Sequence, residues 1–301
     1  MKRLLTAALL MTACVLGANA QLLYKISGKG LAKPSYIIGT YHFCPDTFVD
    51  SIPGLRDAMR GTEAVYGELV NDSMMQPKAL QDMQEALMMP EGKTFASLYT
   101  DEEMGRINAF LTKHMGADFS NPMVAQQLEK LTPAALSTTM TAILCAQKQG
   151  NRLNPTHTID IFFQNWGKEN GRKIGGLETL AFQLKMLFTK PLDRQAQVFL
   201  CMADNEEFTE KVLDLMLAGY FKQDIKMIEE SMNLKLNNSC DDTPEERAEL
   251  LDDRNADWLT KMPAIMKAQP TLFAVGAGHL VGEKGVLALL RKAGYTVEGV
   301  R

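Results

Sequence analysis

The chain has 301 residues, a formal net charge of −4 at pH 7, and 46% hydrophobic and 23% charged residues. It has no basic stripe, so we expect no nucleic-acid partner. Beyond residue 20 every long apolar run is interrupted by charge, so we expect no transmembrane segment in the mature chain. The remaining residues, about 280 of them, are enough for a large hydrophobic core. We therefore predict one domain over residues 21–301.

The first 20 residues have the three parts of a secretory signal peptide. Lys2 and Arg3 supply positive charge, residues 4–17 are apolar and uncharged, and residues 18–20 form an A-x-A cleavage signal. We expect cleavage before Gln21 and export to a periplasmic or extracellular location. Cys14 leaves open a second route, anchoring as a lipoprotein, although the apolar run continues past it.

Four cysteines remain after the signal peptide. An even number in an oxidising compartment permits two disulfides, with three possible pairings. Free buried thiols are equally compatible with so few cysteines in so long a chain. The sequence therefore leaves the pairing open for Cys44, Cys145, Cys201 and Cys240.

Strand patterns occupy both ends of the chain, and helical patterns occupy the middle. Apolar residues recur at three- and four-residue steps from residue 71 to about 269, which predicts a long helical insertion. The predicted helices are residues 53–59, 79–89, 101–115, 123–149, 158–171, one that opens at Glu178, 191–219, 221–232, 244–262 and 285–293. The predicted strands are residues 22–27, 35–39, 63–70, 173–176, 271–275 and 295–300.

The two ends of the chain share one arrangement: a strand, a Gly-x-x-His turn, a helix and a second strand. The first copy is residues 35–70 and the second is residues 271–300. Units of this kind give parallel strands with right-handed crossovers, and ligands bind beyond the carboxyl ends of such strands. We predict an α/β (α+β) fold whose central mixed sheet is built from both units, with the helical insertion between them.

Histidine is scarce, and two of the four histidines occupy these matched turns. They are His42, three residues after Gly39, and His279, three residues after Gly276. Glycine lets the chain turn sharply or approach another segment closely. Two imidazoles and a carboxylate at one sheet edge form a normal divalent-metal site with room for water. The simpler alternative is that each imidazole bonds a local carbonyl.

Two carboxylates accompany the predicted strands. Glu68 interrupts the apolar strand 63–70, and Glu178 follows a Gly-Gly-Leu sequence at the start of a helix. Each also has a simpler explanation, because Glu68 can face water and a helix N-terminus favours a carboxylate such as Glu178.

Four short motifs follow one another along the mature chain. They are Gly39-Thr40-Tyr41-His42; Gly176-Leu177-Glu178-Thr179 with Gln183; Arg254-Asn255 with Trp258; and Gly276-x-Gly278-His279-Leu280-x-Gly282 with Gly285 and Gly294-Tyr295. In this order they resemble the TraB/GumN family, also called Tiki-like or PrgY-like. The resemblance implies a fold similar to that of Tiki, ChaN and erythromycin-esterase proteins.

The same resemblance implies a function, because Tiki members are described as metalloproteases that need Mn²⁺ or Co²⁺. Matching positions would make His42, His279 and Glu68 the metal ligands. As a hypothesis, Glu178 then acts as general base and Arg254 steadies an oxyanion or a substrate carboxylate. Histidine and carboxylate ligands accept Mn²⁺, Co²⁺ or Zn²⁺, so the metal stays open.

Two functions from different classes follow from this sequence. The first is an exported metal-dependent hydrolase, of the metalloprotease or peptidase type, with a peptide or small-molecule substrate. The second is a non-catalytic regulatory protein of the same fold that binds haem, metal or peptide in the same cleft.

Overall fold

The computed structural model describes residues 21–150, 154 and 156–301. The predicted signal peptide, with Cys14, lies outside the described residues. Within the described part of the chain, no helix combines the length and the apolar character needed to cross a membrane.

A six-stranded mixed sheet lies at the centre of the fold. Its strands in chain order are β1 (Leu23–Ser27), β2 (Ser35–Thr40), β3 (Ala64–Gly67), β4 (Lys173–Gly176), β5 (Thr271–Gly276) and β6 (Thr296–Gly299). The spatial order is β4-β3-β5-β2-β1-β6. Neighbours from β4 to β2 pair in parallel, whereas β1 pairs antiparallel with both β2 and β6. The predicted α/β class with a mixed sheet is confirmed.

The two Gly-x-x-His units are interleaved in this sheet. Strand β5, which begins the second unit, lies between β2 and β3 of the first unit. Thr40 at the end of β2 pairs with Gly276 at the end of β5, and Gly67 at the end of β3 pairs with Ala274. The carboxyl ends of these three strands therefore lie side by side at one edge of the sheet.

Strand β5 is buried on both faces, as expected for a central parallel strand. Leu272 packs into a core cluster on one face, with Ile38 and Val65. Phe273 packs into a second cluster on the other face, with Ile37 and Trp258. Because helices cover both faces, the end of β5 is held at a fixed place in the molecule.

Fourteen α-helices lie within the described residues. They are α1 (Leu55–Arg60), α2 (Asn71–Met74), α3 (Pro77–Leu87), α4 (Asp101–Met115), α5 (Pro122–Leu128), α6 (Pro133–Lys148), α7 (Ile159–Glu169), α8 (Leu180–Phe188), α9 (Leu192–Asp204), α10 (Glu206–Phe221), α11 (Ile225–Asn233), α12 (Pro244–Arg247), α13 (Asp253–Ala268) and α14 (Val286–Lys292). A π-helical turn, Ala248–Asp252, joins α12 to α13.

Several predicted boundaries were wrong for local reasons. The predicted helix 123–149 is two helices, because Thr132 caps a new helix whose first residue is Pro133. Similarly, 191–219 divides into α9 and α10 at Asn205. Strand β3 ends at Gly67, so Glu68 follows the strand and does not interrupt it. The prediction of one domain over residues 21–301 stays a prediction.

One disulfide joins two parts of the helical region. Cys201 in α9 bonds Cys240 in the loop before α12, and the two cysteines are 39 positions apart in the sequence. Cys44 and Cys145 are buried free thiols. Of the two disulfides that four cysteines permit, the structure forms one.

Removing this disulfide should destabilise the protein by enlarging the unfolded ensemble. For a closed loop of 39 residues, we expect the double change Cys201→Ser/Cys240→Ser to lower the free energy of unfolding by about 4 kcal/mol. Urea unfolding measures this, and a reductant should destabilise the wild type but leave the double variant unchanged. Four reactive thiols in the unfolded, unreduced mature chain would contradict the pairing.

Candidate active site

Four predicted site residues follow the carboxyl ends of four parallel strands. His42 follows β2, Glu68 follows β3, Glu178 follows β4 and His279 follows β5. Because these strands are neighbours, their ends bring the side chains to one edge of the sheet. His42 and Glu68 line a cleft there, whereas Glu178 and His279 are buried beside it. The fifth predicted residue, Arg254, reaches the same place from α13 in the helical region.

Arg254 joins the two glutamates at the base of the cleft. Its Nη2 donates to Glu68 Oε2 at 2.6 Å and to Glu178 Oε1 at 2.5 Å, and its Nε donates to Glu178 Oε2 at 3.1 Å. Its Nη1 donates to the Leu250 carbonyl in the π-helical turn at 3.0 Å. The three charged side chains are only 3–12% exposed, so this is a buried ion-pair network.

Glu178 is surrounded by donors from three side chains. Besides Arg254, Gln183 Nε2 donates to its Oε1 at 2.6 Å and Trp258 Nε1 donates to its Oε2 at 3.2 Å. Gln183 also donates to Glu68 Oε2 at 3.1 Å. Both Glu178 oxygens are therefore occupied, which fixes the orientation of the guanidinium.

His279 presents one defined ring nitrogen towards Glu68. Asn255 Nδ2 donates to the Lys284 carbonyl at 3.0 Å, so its Oδ1 is left to accept from His279 Nδ1 at 2.7 Å. The Nε2 of His279 then carries the lone pair and lies 3.9 Å from Glu68 Oε1. That oxygen also accepts from the Gly276 N–H at 2.8 Å.

His42 is held in a similar way but lies at the mouth of the cleft, with 66% of its side chain exposed. Its Nδ1 donates to Asp160 Oδ2 at 3.1 Å, and Thr40 Oγ1 donates to Asp160 Oδ1 at 2.6 Å. The Asp160 carboxylate raises the pKa of His42 above its ordinary value. Its Nε2 is left to face the cleft or solvent.

The base of the cleft has more negative than positive charge. Burial alone would raise the pKa of Glu68, but His279, His42 and Arg254 together lower it to about 2. Burial lowers the pKa of His279 to about 4, so this imidazole is neutral near pH 7. Two carboxylates, Glu68 and Glu178, thus share one guanidinium, and a further cation would be stabilised there.

Two donor atoms of the site lie close enough to share one divalent cation, but no full set of ligands surrounds one point. Within residues 21–150, 154 and 156–301, no group of three or more His, Cys, Asp or Glu side chains is arranged to hold a metal. However, His279 Nε2 and Glu68 Oε1, 3.9 Å apart, can each contact one ion at about 2.1 Å. His42 lines the same cleft as Glu68.

The cleft has a volume of about 410 Å³ and both polar and apolar lining residues. His42, Glu68, Asp160 and Arg254 line it together with Gln183. Leucine, isoleucine and methionine side chains supply most of the rest. Such a site can hold a polar reacting group beside an apolar part of a ligand.

Two residues that orient the site by hydrogen bonds, Thr40 and Asn255, had no predicted role. Both belong to the quoted motifs, Thr40 two residues before His42 and Asn255 directly after Arg254. The signal in the sequence was that each has a short polar side chain close to a predicted site residue and could bond within the site. Only the fold shows that Thr40 holds Asp160 and that Asn255 sets the tautomer of His279.

The neutral state of His279 predicts a specific loss of stability in acid. Because its pKa falls from 6.5 to about 4 on folding, the unfolded chain takes up a proton first as the pH drops. Between neutral pH and pH 5, this difference in proton uptake lowers the free energy of unfolding of the metal-free protein by about 2 kcal/mol. Urea unfolding at pH 7.5 and 5 should show a smaller decrease for His279→Gln than for the wild type.

The matched control for this experiment is His157→Gln, because His157 is 65% exposed and pairs with Asp46 away from the buried network. The control should keep the acid sensitivity of the wild type. Equal pH dependence in the wild type and in His279→Gln would show that His279 is not a buried neutral group.

Comparisons with known proteins agree with the motifs. The model of the TraB/PrgY/gumN family matches residues 22–299. The zebrafish (Danio rerio) protein "Metalloprotease TIKI2" is 23% identical over 309 aligned residues, which cover 88% of this chain. The chain spans 58% of the length of that curated relative. No solved structure gives a significant match. With almost its whole length after residue 21 matched, the chain belongs to the TraB/PrgY/gumN family.

Proposed function

We propose that this protein is an exported, metal-dependent hydrolase of the peptidase type. The observation that carries the proposal is the buried excess of negative charge where Glu68 faces the free Nε2 of His279. A divalent cation would balance this charge and use both donor atoms. The similarity to a protein named a metalloprotease supports the choice of peptide bonds over other substrates.

The proposed ligands are His42, His279 and Glu68. Asp160 and Asn255 each hold the Nδ1 of one histidine and leave its Nε2 for the metal, which is the usual outer arrangement around metal-bound imidazole. A divalent metal supplies an acidified water and polarises a carbonyl oxygen when bound. Mn²⁺, Co²⁺ and Zn²⁺ all suit this donor set.

Arg254 is proposed to stabilise negative charge on the substrate. Its guanidinium lines the cleft, and four of its five N–H groups already donate to Glu68, Glu178 and the Leu250 carbonyl, so one Nη1 N–H is left for an oxyanion or a carboxylate. The sequence predicted Glu178 as the general base. Because Arg254, Gln183 and Trp258 occupy both of its oxygens, the contacts favour a positioning role in which Glu178 acts through Arg254.

Loss of the two histidines should remove metal and cleavage together. We expect His42→Ala/His279→Ala to lower the affinity for Mn²⁺, Co²⁺ or Zn²⁺ at least about a hundredfold, and Asp160→Asn to lower it about 10- to 100-fold. Titration calorimetry gives the affinity, and mass spectrometry of a digested peptide library gives cleavage. His157→Ala is the matched control, because this exposed histidine also pairs with an aspartate.

Three outcomes of this assay decide the proposal. Metal-dependent cleavage that disappears in the double variant supports it. Metal binding without cleavage favours the second function, a non-catalytic binding protein, and unchanged metal binding in the double variant contradicts the ligand assignment.

In Glu178→Gln, loss of the acidic limb of the pH–kcat profile would restore the general-base role, whereas a lower kcat at every pH indicates positioning.

Export is proposed on the signal-peptide pattern, and the disulfide between Cys201 and Cys240 supports it. Structural disulfides persist mainly in oxidising compartments. When the full chain is produced in a Gram-negative host, we expect N-terminal sequencing of the periplasmic protein to begin at Gln21. Protein that stays in the cytoplasm with its first 20 residues intact would contradict export, and a lipid-modified Cys14 would select the lipoprotein route.

A further inference from the structure

One buried side chain, Trp258, contacts three groups of the candidate active site. It is completely buried and lies on α13, one helical turn after Arg254. Its Nε1 donates to Glu178 Oε2 at 3.2 Å. The centre of its ring is 4.4 Å from that of the His279 imidazole and 5.2 Å from the guanidinium carbon of Arg254. The indole therefore touches both the histidine and the ion-pair network.

The ring contact limits a motion of His279 that its hydrogen bond leaves open. Asn255 accepts from Nδ1, but the χ2 torsion of histidine has a broad energy well, so the ring can still tilt about this bond. The indole face, inclined by 42° to the imidazole, lies in the path of that tilt. It therefore keeps Nε2 directed at Glu68 Oε1, which is 3.9 Å away.

The indole N–H acts on the other half of the site. Glu178 Oε2 accepts from it and also from Arg254 Nε at 3.1 Å. Because this carboxylate and the guanidinium are joined by two bonds, a turn of one turns the other. One turn further along α13, Lys261 Nζ donates at 2.6 Å to the carbonyl of Leu177, the residue directly before Glu178. Helix α13 thus holds Glu178 through its side chain and through the preceding residue.

Core packing alone gives a simpler explanation of Trp258. Its ring belongs to the cluster that contains Phe273, Met262 and Leu280, and any large apolar side chain would help to fill this space. A buried indole also needs an acceptor for its N–H. Here the acceptor is a carboxylate of the site, and the ring face lies against a proposed ligand, so size accounts for neither contact.

We propose that Trp258 is a positioning residue, which holds His279 by its ring face and Glu178 by its N–H. The metal ligand and the guanidinium of Arg254 are thereby kept at a fixed separation, as a reacting group between them requires. The role in metal binding rests on the proposed function, whereas the restraint on both side chains exists in the metal-free protein. The two can therefore be tested separately.

Restraint of the two side chains is measured by NMR on metal-free protein with labelled histidine and arginine. We expect the order parameter of the His279 ring to be near that of rigid backbone in the wild type, about 0.85, and to fall below about 0.6 in Trp258→Leu. Trp258→Phe keeps an aromatic face and should keep the ring rigid. It removes the N–H, so exchange of the Arg254 Nε–H with solvent should be about tenfold faster.

Titration calorimetry with Mn²⁺ alone tests the effect on the ligand. We expect Trp258→Leu to weaken binding about ten- to hundredfold and Trp258→Phe to keep the wild-type affinity. The matched controls are Trp166→Leu and Trp166→Phe, because Trp166 also packs against an arginine, with the guanidinium carbon of Arg172 at 5.8 Å, but lies on α7. Trp166→Leu should lower the thermal midpoint without changing the motion of His279 or the Mn²⁺ affinity.

The outcomes separate this inference from the proposed function. An ordered His279 ring in folded Trp258→Leu overturns the inference, and so does cleavage by this variant at the wild-type rate. Where Trp258→Leu does not fold, Trp258→Phe decides, and unchanged exchange at Arg254 overturns the inference. A disordered ring in Trp258→Leu, in a protein that binds no metal, supports the positioning role and contradicts the proposed ligands. Metal binding that depends on Trp258, without cleavage, supports the role and contradicts the hydrolase.

Discussion

The site depends on one guanidinium shared by two buried carboxylates. Arg254 enters from α13 and bonds Glu68 and Glu178, which follow two different strands of the sheet. Removing it would leave two uncompensated charges in a nearly dry environment, which is far more costly than losing an exposed ion pair. The network thus ties the helical region to the sheet edge, and it still leaves an excess negative charge beside His279.

The sheet and the helical region supply different parts of the cleft. Parallel strand ends provide His42 and Glu68, which line it, and His279, which is buried next to Glu68. Helices provide the groups that orient these side chains: Asp160 comes from α7 and Asn255 from α13. This division explains why a long helical segment lies between two short units that resemble each other. The units bring the donor atoms together, and the helices fix the direction of each imidazole.

Prediction from sequence succeeded where a pattern is local. Alternation and apolar runs located all six strands, and the matched Gly-x-x-His turns placed His42 and His279 at one sheet edge. It failed where a boundary depends on competition with tertiary contacts. Glu68 was assigned to the interior of a strand, but β3 ends one residue earlier, at Gly67, where an added side chain would clash with the Leu69 carbonyl and crowd the Gln164 amide. Because β3 ends at Gly67, Glu68 follows the strand and its side chain lines the cleft.

The sequence by itself determined the α/β class and the sheet edge where the two matched histidines lie, because period and spacing are properties of the chain alone. The roles proposed for Glu68, Glu178 and Arg254 came from the resemblance of short motifs to a family. The tertiary structure decided three further things. It selected the Cys201–Cys240 pair, it surrounded Glu178 with donors, and it set Asn255 against the Nδ1 of His279. Each of these depends on segments far apart in sequence, and packing of the whole core is what brings such segments into contact.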